Sequence, residues 1–209
     1  MPIRPSTHRA SGQARRAALL DAAVEVIAEG GVAGATHRAI AARAGVPLST
    51  TSYFFASIDE LIEAAMQVVA ERLIAQVDEI AEELARGPVD VDRAIDRFVE
   101  LLSGVRTVDL AAQFEIYLQS VHRPQLQSVA HHMMISFERA GEVALRAAGV
   151  PHPAEAARAV VALADGFELH RLTCPRGEAD RRALDAGIRA LVGGYLAMAS
   201  DRPVVADRG

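Results

Sequence analysis

Lysine and tryptophan are absent from this 209-residue chain, and cysteine occurs once, as Cys174. Without lysine there is no phosphate-loop lysine and no lysine Schiff base, which removes two broad groups of enzyme mechanism. One cysteine forms no internal disulfide and suits a reducing compartment. The N-terminus carries charge but no apolar leader, so the chain reads as cytoplasmic. No apolar run approaches the roughly 18 residues of a membrane span, and no membrane partner is expected. Aromatics make up only 4% of the residues. No stretch alternates convincingly as a strand. The motifs G-x-S-x-G, H-E-x-x-H, C-x-x-C and the dinucleotide glycine fingerprint are all missing. The chain is therefore read as no enzyme, with no catalytic residue, cofactor or metal assigned.

What is present is helix-forming. Half of the residues are apolar, and Ala, Leu and Val dominate, a composition that favours helices packed closely through small side chains. The net charge of −5 is unevenly spread. Residues 1–56 hold six arginines (4, 9, 15, 16, 38, 43) against three acids (21, 25, 29), leaving an acidic remainder. A basic N-terminal module on an acidic body is the asymmetry expected when one end meets phosphates. The exclusive use of arginine also fits a GC-rich coding bias.

The most informative stretch is Thr36 to Leu61, THRAIAARAGVPLSTTSYFFASIDEL. It reads as a short helix from Thr36 to Ala44, with Thr36 as N-cap, a turn at Ala44-Gly45-Val46-Pro47, and a second short helix from Leu48 to Phe54. An aromatic hinge follows, then a capping box, Ser57 to Glu60, that opens a long helix. This spacing fits a DNA-binding helix-turn-helix whose second helix enters the major groove. At Thr36, Arg38, Ile40-Ala41, Ala44-Gly45-Val46, Thr50, Tyr53-Phe54-Phe55 and Ser57-Ile58-Asp59-Glu60-Leu61 the chain resembles the tetracycline-repressor-like bacterial transcription regulators. The resemblance covers roughly residues 13 to 65. It implies DNA contacts from Thr36, His37, Arg38, Leu48, Ser49, Thr50, Ser52 and Tyr53. Family members often carry Ser at position 47, Gly at 49, Tyr at 52 and Lys at 58; here stand Pro47, Ser49, Ser52 and Ile58. The phosphate contacts of that Tyr and Lys are absent, with Tyr53 and the backbone N–H groups at the long helix's start as substitutes. Hydroxyls bond phosphates well and bases loosely, which leaves Arg38 as the best candidate for a bidentate guanine contact. For Arg38 alone, an ordinary surface charge is the competing account.

The expected fold is all-α: an N-terminal three-helix DNA-binding module and a C-terminal helical bundle for ligand binding and dimerisation. Residues 1–12 read as a disordered basic arm, 13–56 as the helix-turn-helix domain, 57–200 as the ligand-binding and dimerisation domain, and 201–209 as a flexible tail. Helix 1 spans 13–30 and ends at Gly30-Gly31. The long helix after the hinge runs to about Arg86 and Gly87-Pro88 breaks it. Five further helices fall at about 90–104, 108–121, 124–148, 153–173 and 178–200.

In the last helix Leu184, Ile188, Leu191, Tyr195 and Met198 form a stripe of large apolar residues beside a stripe of small ones, Ala183, Gly187, Ala190, Gly194 and Ala197; the interface set takes Leu184, Gly187, Ile188, Leu191, Gly194 and Tyr195 from them. With Val160 and Ala164 of the preceding helix, these eight residues read as the interface of a four-helix homodimer; a buried pair of helices within one chain is the alternative. Phe98, Phe114, Tyr117, His131, Met134, Phe137, Phe167 and His170 read as an adaptable pocket for a small-molecule effector, although any one of them is equally a core residue. His170 and Cys174, four apart, make a weak metal pair and no metal site is assigned. The resemblance implies a ligand-responsive transcriptional regulator, most often a repressor, that binds a palindromic operator as a homodimer and is released by a small apolar effector. The alternative is a helical ligand-binding or interaction module with a degenerate helix-turn-helix.

Overall fold

The computed structural model describes residues 5–86 and 90–200. Among them are nine α-helices and no strand. Helix α1, Pro5–Gly34, begins earlier than the sequence suggested. The segment expected as a disordered arm is helical from Pro5 onward, while Met1–Arg4 lie outside the described residues. Proline suits a first helical turn, where its missing N–H has no intrahelical role. Ala10, Ala14, Ala17 and Ala18 then favour the helix over Gly12, the one breaker before Gly30. The expected stop at Gly30-Gly31 is a kink: Gly31 has φ 67 and ψ 176, values a side chain would resist.

Helix α2 spans His37–Arg43, and the Thr36 hydroxyl accepts the Ala39 N–H at 3.1 Å as its N-cap. The turn after it is a Schellman motif. Gly45, at φ 65, donates to the Ala42 carbonyl at 3.2 Å, and Val46 to the Ala41 carbonyl at 3.0 Å. Helix α3 spans Leu48–Phe54, the bounds expected from sequence. Helix α4, Ile58–Ala85, opens on the capping box. The Ser57 hydroxyl accepts the Glu60 N–H at 3.1 Å, and the Glu60 carboxylate accepts from Ala56, one residue earlier than the usual box. The remaining helices are α5 (Val91–Gly104), α6 (Thr107–Ser120), α7 (Pro124–Ala147), α8 (Pro153–Thr173) and α9 (Glu178–Ser200). Helices α5 to α8 end at breakers readable in the sequence: Gly104, Pro124, Gly149 with Pro151, and Pro175 with Gly177. The expected tail, 201–209, lies outside the described residues.

The chain forms two compact units, and they do not divide at residue 56. The first takes in the chain up to Leu73 together with Arg106–His132; the second takes in Ile74–Val105 and the chain from Met133. Helix α4 therefore contributes to both. The first unit includes α6 because α6 is bound to α1 by polar as well as apolar contacts. Leu110 and Ile116 are fully buried there with Leu19, Ile27, Leu61 and Met66. The Glu115 carboxylate accepts the Val32 N–H at 2.9 Å, satisfying a donor that the Gly31 kink frees. Asp109, 1% exposed, accepts from Arg72 at 2.7 Å and from Arg106 at 2.7 Å. In the second unit Ile95, Val99, Val160, Leu184, Ile188 and Val192 anchor the core joining α5, α8 and α9.

Candidate DNA-reading surface and ligand cavity

Helix α3 presents one exposed face and buries the other. Leu48, Ser49, Ser52 and Tyr53 are exposed, with Tyr53 at 81%, and they share a stripe of the helix surface. Thr51 faces inward, fully buried, and its hydroxyl donates to the Leu48 carbonyl at 2.8 Å. Thr50 is half-buried. Tyr53 meets the Phe54 ring edge to face, 4.9 Å between centroids, and is still 81% exposed; Leu48 is 47% exposed, and a reading helix needs such side chains outside. In the first turn of α2, Thr36 and Arg38 are exposed, while His37 is half-buried with Nδ1 shielded and unpartnered among the described residues. Phe55 is buried at the hinge, and the Arg16 guanidinium lies 5.2 Å from its ring centroid.

The arginines of the basic segment divide into two roles. Arg43 is bound to Glu25 at 3.1 Å and to Glu29, which braces α2 against α1. The hydrogen bond to Glu29 raises the Arg43 pKa, and the same bond lowers that of Glu29. Arg38 has no ion pair among the described residues and keeps its charge at the surface beside α3.

In the second unit, a partly open cavity of about 60 Å³ is bordered by the end of α4, α5, α7, α8 and α9. Its lining includes Val77, Ile80, Leu84, Phe98, Leu101 and Ala144. Of the eight residues expected around a ligand, only Phe98 borders it. Phe114 and Tyr117 stack edge to face in the first unit, 6.0 Å between centroids, and His131 is exposed there. In the second unit Met134 and His170 are exposed, Phe137 is half-buried, and Phe167 borders a separate polar hollow with Glu168, Arg171 and Asp180. The other seven lie away from this cavity, and most of those side chains face solvent or their own helix neighbours. A usable signal existed along α7 and just past its end, where Ala140, Ala144 and Ala148 recur every four residues and leave room along one face. Among the described residues no group of three or more His, Cys, Asp or Glu side chains is placed to hold a metal, and no helix is long and apolar enough to cross a membrane.

Two family models match. Residues 19–65 match the bacterial regulatory proteins of the tetR family, and residues 89–197 match the tetracyclin repressor-like C-terminal domain. The chain belongs to this family. TetR-family regulators of known role resemble it over most of their length. The nicotine-responsive transcriptional repressor HdnoR of Paenarthrobacter nicotinovorans is 27% identical over 169 residues, 77% of this chain and 85% of that one. The transcriptional regulator BetI 1 of Chromohalobacter salexigens is 30% identical over 178 residues, 78% and 81% of the two chains. Among solved structures, the multidrug binding protein EbrR complexed with ethidium is 30% identical, with a TM-score of 0.63 over 85% of this chain and 97% of that one. The chain is thus a TetR-family DNA-binding transcriptional regulator.

For a TetR-family body, the expected dimer face needs correction. Val160, Ala164, Leu184 and Ile188 are buried within the chain itself. Leu191 and Tyr195 are half-buried against the same core. A Cβ on Gly187 would lie 3.3 Å from the Leu163 side chain, so this glycine serves close packing of α9 on α8 inside one subunit. From Leu184 to Tyr195 the stripe of large residues faces inward because the chain's own α5 and α8 cover it, while Met198 at its end is 63% exposed. Only Gly194 of the eight is exposed, and no side chain approaches it. The small residues that α9 leaves outside include Ala183, Ala186, Ala190, Gly193, Gly194 and Ala197.

Proposed function

We propose that this protein is a repressor that binds a palindromic operator as a homodimer, with α3 of each subunit in the major groove, and that a small apolar effector releases it. The observation that carries the DNA-reading part is the exposed stripe Leu48, Ser49, Ser52 and Tyr53 on α3, with the unpaired Arg38 beside it. Tyr53 and the serine hydroxyls suit phosphates, and Arg38 suits a guanine edge or a phosphate. The relative HdnoR is a nicotine-responsive repressor and EbrR holds ethidium, which supports an effector-controlled regulator. Release requires that the effector bind the DNA-incompetent state more tightly, and DNA must then weaken effector binding by the same factor.

The dimer is assigned to the outward small-residue faces of α8 and α9. On α9 these are Ala186, Ala190, Gly193 and Ala197; on α8 they are Ala162 and Gly166, with the large apolar Leu169, 45% exposed, next on the same face. Both sets follow a four-then-three spacing, and small side chains let helices of two subunits approach closely. The test is selection of bound sequences from a random duplex pool at two salt concentrations. A recovered palindrome whose affinity falls as salt rises is the expected result. Recovery of nothing above background would overturn the reading.

A further inference from the structure

We propose that the polar hollow where α8 turns into α9 binds a small organic molecule through a primary ammonium group. The hollow lies wholly within the second unit and shares no lining residue with the apolar cavity, so it is a site apart from the proposed apolar effector. Its geometry follows from local sequence. Pro175 and Gly177, the latter at φ 58, reverse the chain between the two helices. Arg171 stands four after Phe167 and three after Glu168, so these three share one face of the last turns of α8. Asp180 and Leu184, four apart, share a face of the first turns of α9. The two faces border one partly open hollow of about 270 Å³.

Two carboxylates of this hollow are nearly buried, Glu168 at 5% exposure and Asp180 at 9%. Arg171 donates to Glu168 Oε2 from Nε at 2.8 Å and from Nη2 at 2.6 Å, and the Arg176 N–H donates to Asp180 Oδ2 at 2.7 Å. Glu168 Oε1 accepts no hydrogen bond among the described residues. A carboxylate set this deep costs free energy unless its second oxygen also finds a donor. Burial raises the Glu168 pKa more than the Arg171 bond lowers it, so that one partner does not fully offset the buried charge. The lining sets three carboxylates, Glu168, Glu178 and Asp180, against two guanidinium groups, Arg171 and Arg181. One added positive charge brings the hollow to neutrality. Among the described residues these acids do not converge as a metal-ligand set, and Phe167 and Leu184 give the hollow an apolar wall suited to a carbon skeleton. The chemistry that fits is an organic ammonium, with an N–H for Oε1, a charge-assisted bond to the carboxylate and a hydrocarbon part against Phe167 and Leu184. Glu168 and Arg171 lie on the far side of α8 from Ala162 and Gly166, so the assigned dimer surface leaves the hollow uncovered.

The test uses the full-length protein with carbon-13-labelled methyl groups, titrated separately with benzylammonium, benzyl alcohol and benzyltrimethylammonium. The first is charged and donates N–H bonds, the second is neutral, and the third is charged without an N–H. The expected result is a saturable shift of the Leu184 methyl signals with benzylammonium, while the Val77 and Ile80 methyls of the apolar cavity stay in place. Benzyl alcohol and benzyltrimethylammonium should each bind at least about tenfold more weakly. Glu168→Gln keeps the shape, removes the charge and should weaken benzylammonium binding about ten- to hundredfold. Ser103 is an exposed wall residue whose hydroxyl bonds the Val99 carbonyl of its own helix. Ser103→Trp narrows the hollow and should weaken binding likewise, which keeps the test decisive if Glu168→Gln does not fold. Benzyl alcohol or benzyltrimethylammonium binding as tightly as benzylammonium, an affinity that neither substitution lowers, or no saturable Leu184 shift would each overturn the proposal.

Discussion

Arg38 and Arg43 are five residues apart and make opposite uses of the same charge. Arg43 is held by Glu25 and Glu29, so the charge it adds to the N-terminal segment is cancelled locally. Arg38 has no such partner among the described residues. Arg38→Ala is expected to weaken operator binding about ten- to hundredfold if it grips a base edge. If Arg38 instead neutralises a phosphate, the salt slope of binding should fall by about one. Arg43→Ala should leave that slope unchanged, since its guanidinium is engaged elsewhere. Mobility-shift titrations at several salt concentrations decide between these outcomes. Glu168 gives a second residue-scale test. It is 5% exposed, and burial raises its pKa above the ordinary 4.5 more than the Arg171 bond lowers it. A carboxyl with a raised native pKa favours the fold when protonated. Its contribution is fully present below about pH 4.5 and is lost as pH rises through the raised value. Urea midpoints measured from pH 4 to 7 should therefore decline more steeply for the wild type than for Glu168→Gln over that window. Equal slopes would show that Glu168 is not the group responsible.

At the scale of elements, local signals reached the helices and stopped at their partners. The bounds of α3 were legible because Gly45, Pro47 and the Ser57 cap act within a few residues of where they stand. The faces of α9 were legible as two stripes, but not which stripe faces inward. That depends on α5 and α8 covering Leu184 and Ile188, and helical spacing carries no information about a partner. The pairing of α6 with α1 was hidden for the same reason, since Glu115 meets Val32 across 83 positions. That bond can be tested directly. Glu115→Ala leaves the Val32 N–H without its acceptor and should destabilise the fold by about 1–3 kcal/mol. Gly31→Ala forces a side chain into φ 67 and sets its Cβ 3.4 Å from the Glu115 carboxylate, for a loss of at least about 1 kcal/mol. Urea denaturation measures both. If Gly31→Ala is neutral, the kink is not constrained as described.

For the whole molecule, the exposed stripe of α3 was legible and the apolar cavity of the second unit was not. The surface is built by one contiguous stretch, Thr36 to Leu61, so its chemistry and geometry travel together in the sequence. The cavity takes its wall from five helices, and composition alone directed attention to Met134, His131 and His170, which are exposed. Assembly is the property that remains to be measured at this scale. Ala190→Glu or Gly166→Arg places a charge on the outward face without touching the subunit core, and the Cβ of residue 166 meets nothing within 4 Å inside the chain. Either variant is expected to sediment as a folded monomer with an unchanged circular dichroism spectrum. Its affinity for a palindrome should fall at least about tenfold, because two half-sites are no longer joined. A dimer that survives both substitutions would place the interface elsewhere. The hydrogen bond that Val32 donates beside the Gly31 kink has one more consequence, which concerns descent. A glycine that any side chain would strain and the carboxylate of Glu115, which the kink aims at Val32, form a pair that mutation can alter safely only in step. Among related sequences that keep this kink, positions 31 and 115 should therefore change together or not at all, even though nothing in the chain between them records the link.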